Sequence, residues 1–250
     1  MRLCWRNFDL DLSSKTHIMG IVNVTPDSFS DGGLFYEPER AVEHCLRLIE
    51  EGADIIDIGG ESTRPGSEPV SEEEELRRVI PVIKKLSAQI KVPISIDTYK
   101  SRVAREALEA GASIVNDISG LRFDPELKKV VAEYRVPVVI MHIKGTPKTM
   151  QTNPVYEALI PEIMDYLREG IMMAREAGIP EELIIIDPGI GFGKTYDHNL
   201  EIINRLKEFT YLEKPVLVGP SRKAFIGKVL GDVPPGLRLE GTLAAVAIAI

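Results

Sequence analysis

An apolar strand, a polar loop and an amphipathic helix follow one another repeatedly along this chain of 250 residues. The first unit begins with an apolar run over residues 18–22, of the length expected for a strand buried on both faces. A polar loop follows over residues 23–33, and the consecutive Gly32 and Gly33 end any continuing strand. A helical pattern starts near Pro38, a favourable first-turn residue. This unit predicts a parallel sheet covered by helices.

Seven such units are present, with no linker-like stretch between them. Each predicted strand ends in a loop with unusual polar groups, as expected when all loops converge on one end of a closed barrel. An open doubly wound sheet mainly uses the loops at its switch point, so we predict an α/β fold of the (β/α)8 TIM-barrel type. A small hairpin is predicted before the barrel, over residues 1–16. The predicted strands are 18–22, 53–59, 93–96, 113–115, 137–141, 183–186 and 215–218.

The predicted barrel lacks its eighth strand and helix in this sequence. Residues 241–250 have the pattern of a helix after the seventh strand, and no eighth strand follows them. Seven strands alone leave unpaired sheet edges. We therefore expect residues 1–250 to form a single barrel domain, and the natural protein to extend by one strand and one helix.

Composition excludes several classes of protein. A hydrophobic content of 44% allows an ample core, and a net charge of -8 is not a nucleic-acid footprint, so no nucleic-acid partner is predicted. The longest apolar run, residues 243–250, is far shorter than the ~20 residues that cross a bilayer. Cys4 and Cys45 have neither a disulfide nor a metal-binding pattern. We therefore expect a cytoplasmic protein with no membrane partner.

A glycine-rich loop over residues 189–195 resembles two nucleotide-binding motifs and matches neither. A P-loop needs glycine where this chain has Pro188, and a dinucleotide fingerprint needs a different glycine spacing. The glycines either let the backbone turn sharply over a ligand or form a purely structural turn.

Acidic and amide side chains stand where apolar strands stop. Asp97 and Asp187 could each cap a helix or pair with a base. Two carboxylates in equivalent places favour a pocket, in which they would accept hydrogen bonds from an amino-substituted heterocycle or stabilise positive charge. Asn116 and Asp117 fit a ring edge and ordinary turn chemistry equally well. For Asp57, inside its strand, a buried structural role is at least as favoured as a functional one.

Basic side chains also follow predicted strands. Arg64 lies in a loop bounded by proline and glycine, and Arg222 and Lys223 form a pair after the seventh strand. Exposed surface bases are common. The loops that follow the strands converge at one end of the barrel, here called the mouth. At the mouth of an acidic protein, such bases suit a phosphate or carboxylate ligand.

Two long stretches, residues 19–33 and 57–66, resemble the first and second signatures of the dihydropteroate synthase family. The likeness covers about residues 17–250. Members of this family join 6-hydroxymethyl-7,8-dihydropterin diphosphate to 4-aminobenzoate, which releases diphosphate and gives 7,8-dihydropteroate for folate synthesis. Shorter matches follow in the family's order at residues 96–98, 115–117, 141–147, 187–194 and 221–223.

The resemblance implies roles for individual residues. Asn23 would be a ligand of Mg²⁺, an ion that keeps several waters and takes diphosphate oxygens. The catalytic residues would be Asp97, Lys223 and Arg64, with Asp97 stabilising a cationic pterin intermediate. The pterin would contact Asp97, Asn116, Ile118, Met141, Asp187, Phe192, Gly219 and Lys223. The diphosphate and the aminobenzoate would contact Phe29, Thr63, Arg64, Pro65, Phe192, Ser221 and Arg222.

One position departs from the family pattern. Many members carry a serine that contacts the aminobenzoate carboxylate, where this chain has Ala224. Its backbone N–H could still donate if a helix starts there.

The resemblance also implies a homodimer. Two other functions remain open: a methyltetrahydrofolate-binding domain of a corrinoid methyltransferase, which gives the loops 25–33 and 62–66 no purpose, and a non-catalytic pterin-binding module.

Overall fold

The computed structural model describes residues 1–25 and 38–250, and the chain starts with an antiparallel hairpin, as predicted. Strand β1 (Arg2–Trp5) pairs with β2 (Phe8–Asp11). The two-residue turn between them uses Arg6 in the left-handed region, at φ 46°, which suits a tight hairpin turn. Leu3 and Trp5 are buried against the main core. The hairpin therefore packs onto the barrel domain.

A parallel sheet of six strands, hydrogen-bonded in sequence order, forms the centre of the molecule. Sequential parallel neighbours require a crossover after each strand, and helices supply most of those connections. The strands are β3 (Met19–Asn23), β4 (Ile55–Gly59), β5 (Ile94–Asp97), β6 (Ile114–Asp117), β7 (Val138–Met141) and β8 (Ile184–Asp187).

The helices form one continuous layer outside this sheet. Each of the first four packs against the helix that follows it, as in a barrel, whereas a doubly wound sheet divides its helices between two faces. The α-helices are α1 (Pro38–Glu50), α2 (Glu72–Ser87), α3 (Ser101–Ala110), α4 (Leu127–Tyr134), α5 (Leu159–Glu176), α6 (Tyr196–Asn204), α7 (Ala224–Val229) and α8 (Leu239–Ala249). Short 3-10 helices cover Glu181–Leu183, Leu206–Leu212 and Pro235–Leu237.

Local sequence sets where the helices begin and end. The hydroxyl of Ser71 accepts a hydrogen bond from the Glu74 backbone N–H at 3.2 Å and caps α2. The Glu74 carboxylate binds Arg77 and Arg78, so only half of a capping box forms. Gly111, at φ 122°, ends α3.

Two expectations for the strands are wrong in detail. Ile21 in β3 is 49% exposed, so this strand is not buried on both faces. Its neighbour Gly20 faces Leu48 of α1, and alternation then turns Ile21 toward the inner side. The seventh predicted strand is reduced to one parallel bridge between Ile186 and Val216.

A proline on each partner explains why the seventh strand is so short. In this register, Pro215 has no N–H to extend the ladder in one direction, and Pro188, directly after β8, has none to extend it in the other. Two backbone hydrogen bonds hold the segment, from the Ile186 N–H to the Pro215 carbonyl at 2.9 Å and from the Leu217 N–H to the Ile186 carbonyl at 2.8 Å. They align it with β8, which brings the loop after Val218 to the same end of the sheet as the other polar loops.

Among the described residues, no helix is long and apolar enough to cross a membrane.

Candidate active site

A row of aligned residues crosses four neighbouring strands at their carboxyl ends. The register pairs Asn23 with Gly59, Gly59 with Asp97, and Asp97 with Asn116. Aligned residues of adjacent strands point to the same face of a sheet. A Cβ atom on Gly59 would lie 3.3 Å from Asp97 Oδ2 and 3.6 Å from Asn23 Oδ1. The glycine therefore leaves room for both polar side chains on the inner face.

Asp57 lies one step deeper on the same face and holds the Asn116 amide. The Asn116 Nδ2 donates to Asp57 Oδ2 at 3.0 Å. Asp57 is only 2% exposed, and its other oxygen has no hydrogen-bond partner among residues 1–25 and 38–250. Asp57 therefore has a structural role that serves the pocket, because its carboxylate orients the amide of Asn116.

Asp117 has a different role from its neighbour Asn116. It is fully buried, and its carboxylate accepts the backbone N–H groups of Ser119 at 2.8 Å and Leu121 at 2.5 Å. Burial raises the pKa of Asp117 to about 6, against these hydrogen bonds. Its role is turn chemistry, whereas Asn116 faces the pocket.

The electrostatic environment of Asp97 is strongly acidic. Burial, followed by the nearby carboxylates of Asp57 and Glu75, raises its pKa well above the ordinary 3.8. Desolvation and like charges both disfavour an ionised carboxylate. A ligand that brings N–H donors or positive charge to this position would relieve that cost.

Asp187, at the end of β8, forms the opposite side of the same mouth. It is 6% exposed, and its Oδ1 accepts the Gly189 N–H at 2.6 Å. Burial raises its pKa, although the positive charge of Lys223 acts in the other direction. The turn after Asp187 requires glycine, because Gly189 has φ +71° and a Cβ there would lie 1.9 Å from the His142 carbonyl oxygen.

Lys223 reaches into the mouth from the loop that precedes α7. Its ammonium donates to the Ile190 carbonyl and lies 4.7 Å from the centroid of the Phe192 ring. Burial lowers the pKa of Lys223 to about 8, while Asp187 and Asp97 favour its charged form. Gly219 lies beside it, since a Cβ there would be 3.9 Å from the ammonium nitrogen.

An apolar cluster, separate from the main core, lines the mouth between β6 and β8. Tyr99 and Phe192 pack against it. Flat apolar surfaces next to convergent polar groups are typical of a pocket for a planar ring. The cluster consists of Ile118, Met141, Ile143 and Met150.

The predicted anion-binding bases lie on exposed loops. Arg64 is exposed, and in the described part of the chain no carboxylate pairs with its guanidinium. Arg222 is also exposed, with its backbone N–H bound to Thr242 at 2.9 Å. Thr63 is half-buried, whereas Pro65 and Ser221 are exposed. The prediction for Phe29 lies outside the described residues.

A buried ion network beside the loop of Arg64 was not anticipated from the sequence. Lys100 lies between Glu61, at 2.7 Å, and Glu75, at 2.6 Å. Glu61 and Glu75 are 7% and 1% exposed, respectively. The available signal was a lysine three residues after Asp97 together with a glutamate inside the second signature.

A second unanticipated pair lies under the glycine-rich loop. The ammonium nitrogen of Lys194 is 2.8 Å from His142 Nδ1 and donates to the Phe192 carbonyl at 3.0 Å. Burial is the first cause that lowers the pKa values of both Lys194 and His142. The pair links the end of β7 to this loop.

The donor set fits a magnesium ion that takes most of its ligands from substrate and water. Within residues 1–25 and 38–250, no group of three or more His, Cys, Asp or Glu side chains could hold a metal. Asn23 presents one neutral oxygen in the polar row, close to Asp97. Mg²⁺ is commonly bound through one or two protein oxygens plus phosphate oxygens.

Comparison with known proteins identifies the class of protein that this barrel and mouth define. The pterin binding enzyme family matches residues 19–250, and the chain belongs to that family. Within it, the chain belongs with the dihydropteroate synthases, which are transferases.

Individual relatives support this placement. The chain is 52% identical to a dihydropteroate synthase of Bacillus subtilis, covering 96% of this chain and 82% of the relative. It is 48% identical to one of Escherichia coli, covering 100% and 87%. A crystal structure of the Yersinia pestis enzyme with a sulfonamide drug matches with a TM-score of 0.94 at 44% identity, covering 100% of this chain and 90% of that one. The barrel prediction and the family resemblance are confirmed.

Proposed function

We propose that this chain condenses 6-hydroxymethyl-7,8-dihydropterin diphosphate with 4-aminobenzoate to give 7,8-dihydropteroate and diphosphate. The observation that carries the proposal is the aligned row of Asn23, Gly59, Asp97 and Asn116, which faces Asp187 and Lys223 across the mouth. A Xanthomonas albilineans dihydropteroate synthase has been crystallised with 7,8-dihydropteroate, and this chain matches it with a TM-score of 0.89 at 45% identity, covering 100% of this chain and 88% of that one.

In the proposed complex, the pterin lies between apolar faces and carboxylates. Met141 and Ile118 contact the faces of the ring, and Phe192 and Gly219 border it beside Lys223. Asp187 accepts N–H groups of the heterocycle, and the Asn116 amide, oriented by Asp57, binds its edge. Hydrogen-bond donors on the heterocycle would offset the burial that raises the pKa values of Asp97 and Asp187.

The chemical step breaks the bond between the pterin methylene carbon and the diphosphate oxygen. The electron pair of this bond leaves on diphosphate, the lone pair of the aryl amine forms the new C–N bond, and the amine proton passes to water. An aryl amine needs no strong base. The main demand is therefore to stabilise positive charge on the pterin, which Asp97 meets from the polar row.

The leaving diphosphate and the second substrate occupy the outer mouth. Thr63 and Arg64 bind anionic oxygens, and Arg222 binds the carboxylate of the aminobenzoate, because all three lie at the rim and both arginines are exposed. Pro65, Phe192 and Ser221 form the walls around the ring. When bound, Mg²⁺ held by Asn23 would neutralise diphosphate charge. The backbone N–H of Ala224, the first residue of α7, is a further donor for the aminobenzoate carboxylate.

We also propose that the enzyme is a cytoplasmic homodimer. Cys4 and Cys45 are free thiols, which suits a reducing compartment. The homodimer is the assembly that the family resemblance implies. Sedimentation equilibrium at micromolar concentration tests the assembly, and a monomer would contradict it.

The reaction is tested by measuring diphosphate release from the purified protein. Release should require pterin diphosphate, 4-aminobenzoate and Mg²⁺ together, and omission of any one should reduce it to background. Binding of the pterin with no release would identify a non-catalytic module. Transfer of a methyl group from methyltetrahydrofolate, with no diphosphate chemistry, would instead identify a corrinoid methyltransferase domain.

A further inference from the structure

The loop over residues 61–70, between β4 and α2, is closed at its base by buried ionic hydrogen bonds. Glu61 Oε2 accepts the Val70 backbone N–H at 2.9 Å, and the Lys100 ammonium donates to the Val70 carbonyl at 2.8 Å. The same ammonium binds Glu61 and Glu75. Lys100 therefore uses all three of its donors, and both ends of the loop are attached to one buried cation.

The loop base is also connected to the pterin side of the mouth. The Tyr99 hydroxyl donates to Glu61 Oε1 at 3.0 Å, and the Tyr99 ring packs on the apolar cluster that contains Ile118 and Met141. Tyr99 and Lys100 lie two and three residues after Asp97, which ends β5. Glu61 thus links the segment after β5 to the loop that carries Thr63 and Arg64.

We propose that Glu61 is a positioning residue for catalysis. Through Lys100 and Tyr99, it holds the loop 61–70 so that Arg64 meets the anionic oxygens of the substrates. This inference rests on the proposed function of the mouth. It adds a role for a residue that contacts no substrate and acts through the placement of Arg64.

Glu61 is more deeply buried and makes more hydrogen bonds than a residue of a surface ion pair. Glu61 is 7% exposed and engages both of its carboxylate oxygens, on Tyr99, on Lys100 and on a backbone N–H. At the far side of the loop, in contrast, Lys148 and Glu68 form an exposed ion pair. Their side chains are 59% and 69% exposed, respectively. Exposed pairs of that kind contribute little. The loop is therefore held by its buried base and, at its tip, by one backbone hydrogen bond from the Gly66 N–H to the Pro147 carbonyl at 3.0 Å.

The test is a double-mutant cycle between Glu61→Ala and Arg64→Ala. Alone, Glu61→Ala should lower kcat/KM for 4-aminobenzoate about a hundredfold, since a shift of about 1 Å in a positioning group has an effect of that size. The dissociation constant of unphosphorylated 6-hydroxymethylpterin should stay within about twofold. In the Arg64→Ala background, Glu61→Ala should have a much smaller effect, limited to the placement of Thr63, because two residues that act through one contact are not additive.

Companion variants separate positioning from stability. Glu61→Gln keeps an acceptor for the Val70 N–H and should restore most of the activity. Tyr99→Phe removes one hydrogen bond to Glu61 and should lower kcat/KM for 4-aminobenzoate by a smaller factor. This variant replaces Glu61→Ala in the test if Glu61→Ala does not accumulate as folded protein. The matched control is Glu133→Ala, which breaks the exposed ion pair with Arg105 at 2.8 Å between α3 and α4. It should change neither kcat/KM for 4-aminobenzoate nor the dissociation constant of 6-hydroxymethylpterin.

Two results would overturn the inference. Additive losses in the cycle would show that Glu61 does not act through Arg64. Equal losses in pterin affinity and turnover would show a general structural role. Because the cycle is measured relative to an active wild type, these outcomes leave the proposed reaction intact, whereas absence of diphosphate release from the wild type would refute that reaction itself.

Discussion

Replacing Asp97 with asparagine should separate catalysis from stability. Asparagine nearly preserves the shape of the side chain between Gly59 and Asn116 but removes the negative charge that faces the reacting pterin. Loss of one oriented electrostatic group costs about 3 kcal/mol of transition-state stabilisation, or roughly a hundredfold in rate. We therefore expect kcat to fall by about that factor.

The same substitution should raise the melting temperature of the ligand-free protein. Burial and neighbouring carboxylates place the folded-state pKa of Asp97 well above the ordinary 3.8. A raised pKa contributes stability that is fully present below 3.8 and is lost as pH rises through the folded-state value. At pH above that value the ionised carboxylate is a destabilising group, and Asp97→Asn removes it.

Calorimetric melting and steady-state kinetics on the same preparations measure both effects. For a chain of this size, each 1 kcal/mol shifts Tm by roughly 2–4 °C, which a melting scan resolves. The gain should shrink as the pH of the scan falls toward 3.8, because the Asp97 carboxylate of the unfolded chain then becomes protonated as well. Near-normal turnover, or a lower Tm at neutral pH, would refute the reasoning.

Three further variants test other parts of the site. Arg64→Ala should lower turnover and weaken aminobenzoate binding while pterin affinity by calorimetry barely moves; a collapse of pterin binding would reassign the residue to the pterin pocket. For Lys223, with a pKa of about 8, kcat/KM for pterin diphosphate should fall tenfold per pH unit above that value as the ammonium loses its proton, and Lys223→Arg should move this limb to higher pH; an unchanged limb would assign it to another group. Gly189→Ala should leave little folded protein in a chemical-denaturation assay, because its φ of +71° and the 1.9 Å approach to the His142 carbonyl admit no side chain; wild-type stability would contradict this.

Much of the fold and part of the site follow from local patterns in the sequence. Asp97, Asn116 and Asp187 could be placed at the mouth because each ends an apolar strand, and the carboxyl ends of parallel strands meet at one edge. Helix boundaries such as Ser71 and Gly111 are also accessible to sequence patterns, because capping depends on neighbours in sequence.

Contacts between distant residues could not be predicted in the same way. The hydrogen bond from Asn116 to Asp57 joins residues 59 positions apart and depends on the registers of β4, β5 and β6. The ion pair of Lys100 with Glu61 depends on how a loop folds back over a strand end. The half-exposed Ile21 was missed because an apolar run does not reveal which face the sheet leaves open.

The most direct measurement of the central claim is identification of the product by mass spectrometry, together with quantification of the diphosphate released. With 6-hydroxymethyl-7,8-dihydropterin diphosphate, 4-aminobenzoate and Mg²⁺, the account predicts 7,8-dihydropteroate in amounts equal to diphosphate. Diphosphate released without dihydropteroate, or a pterin that binds at the mouth and is never converted, would contradict it.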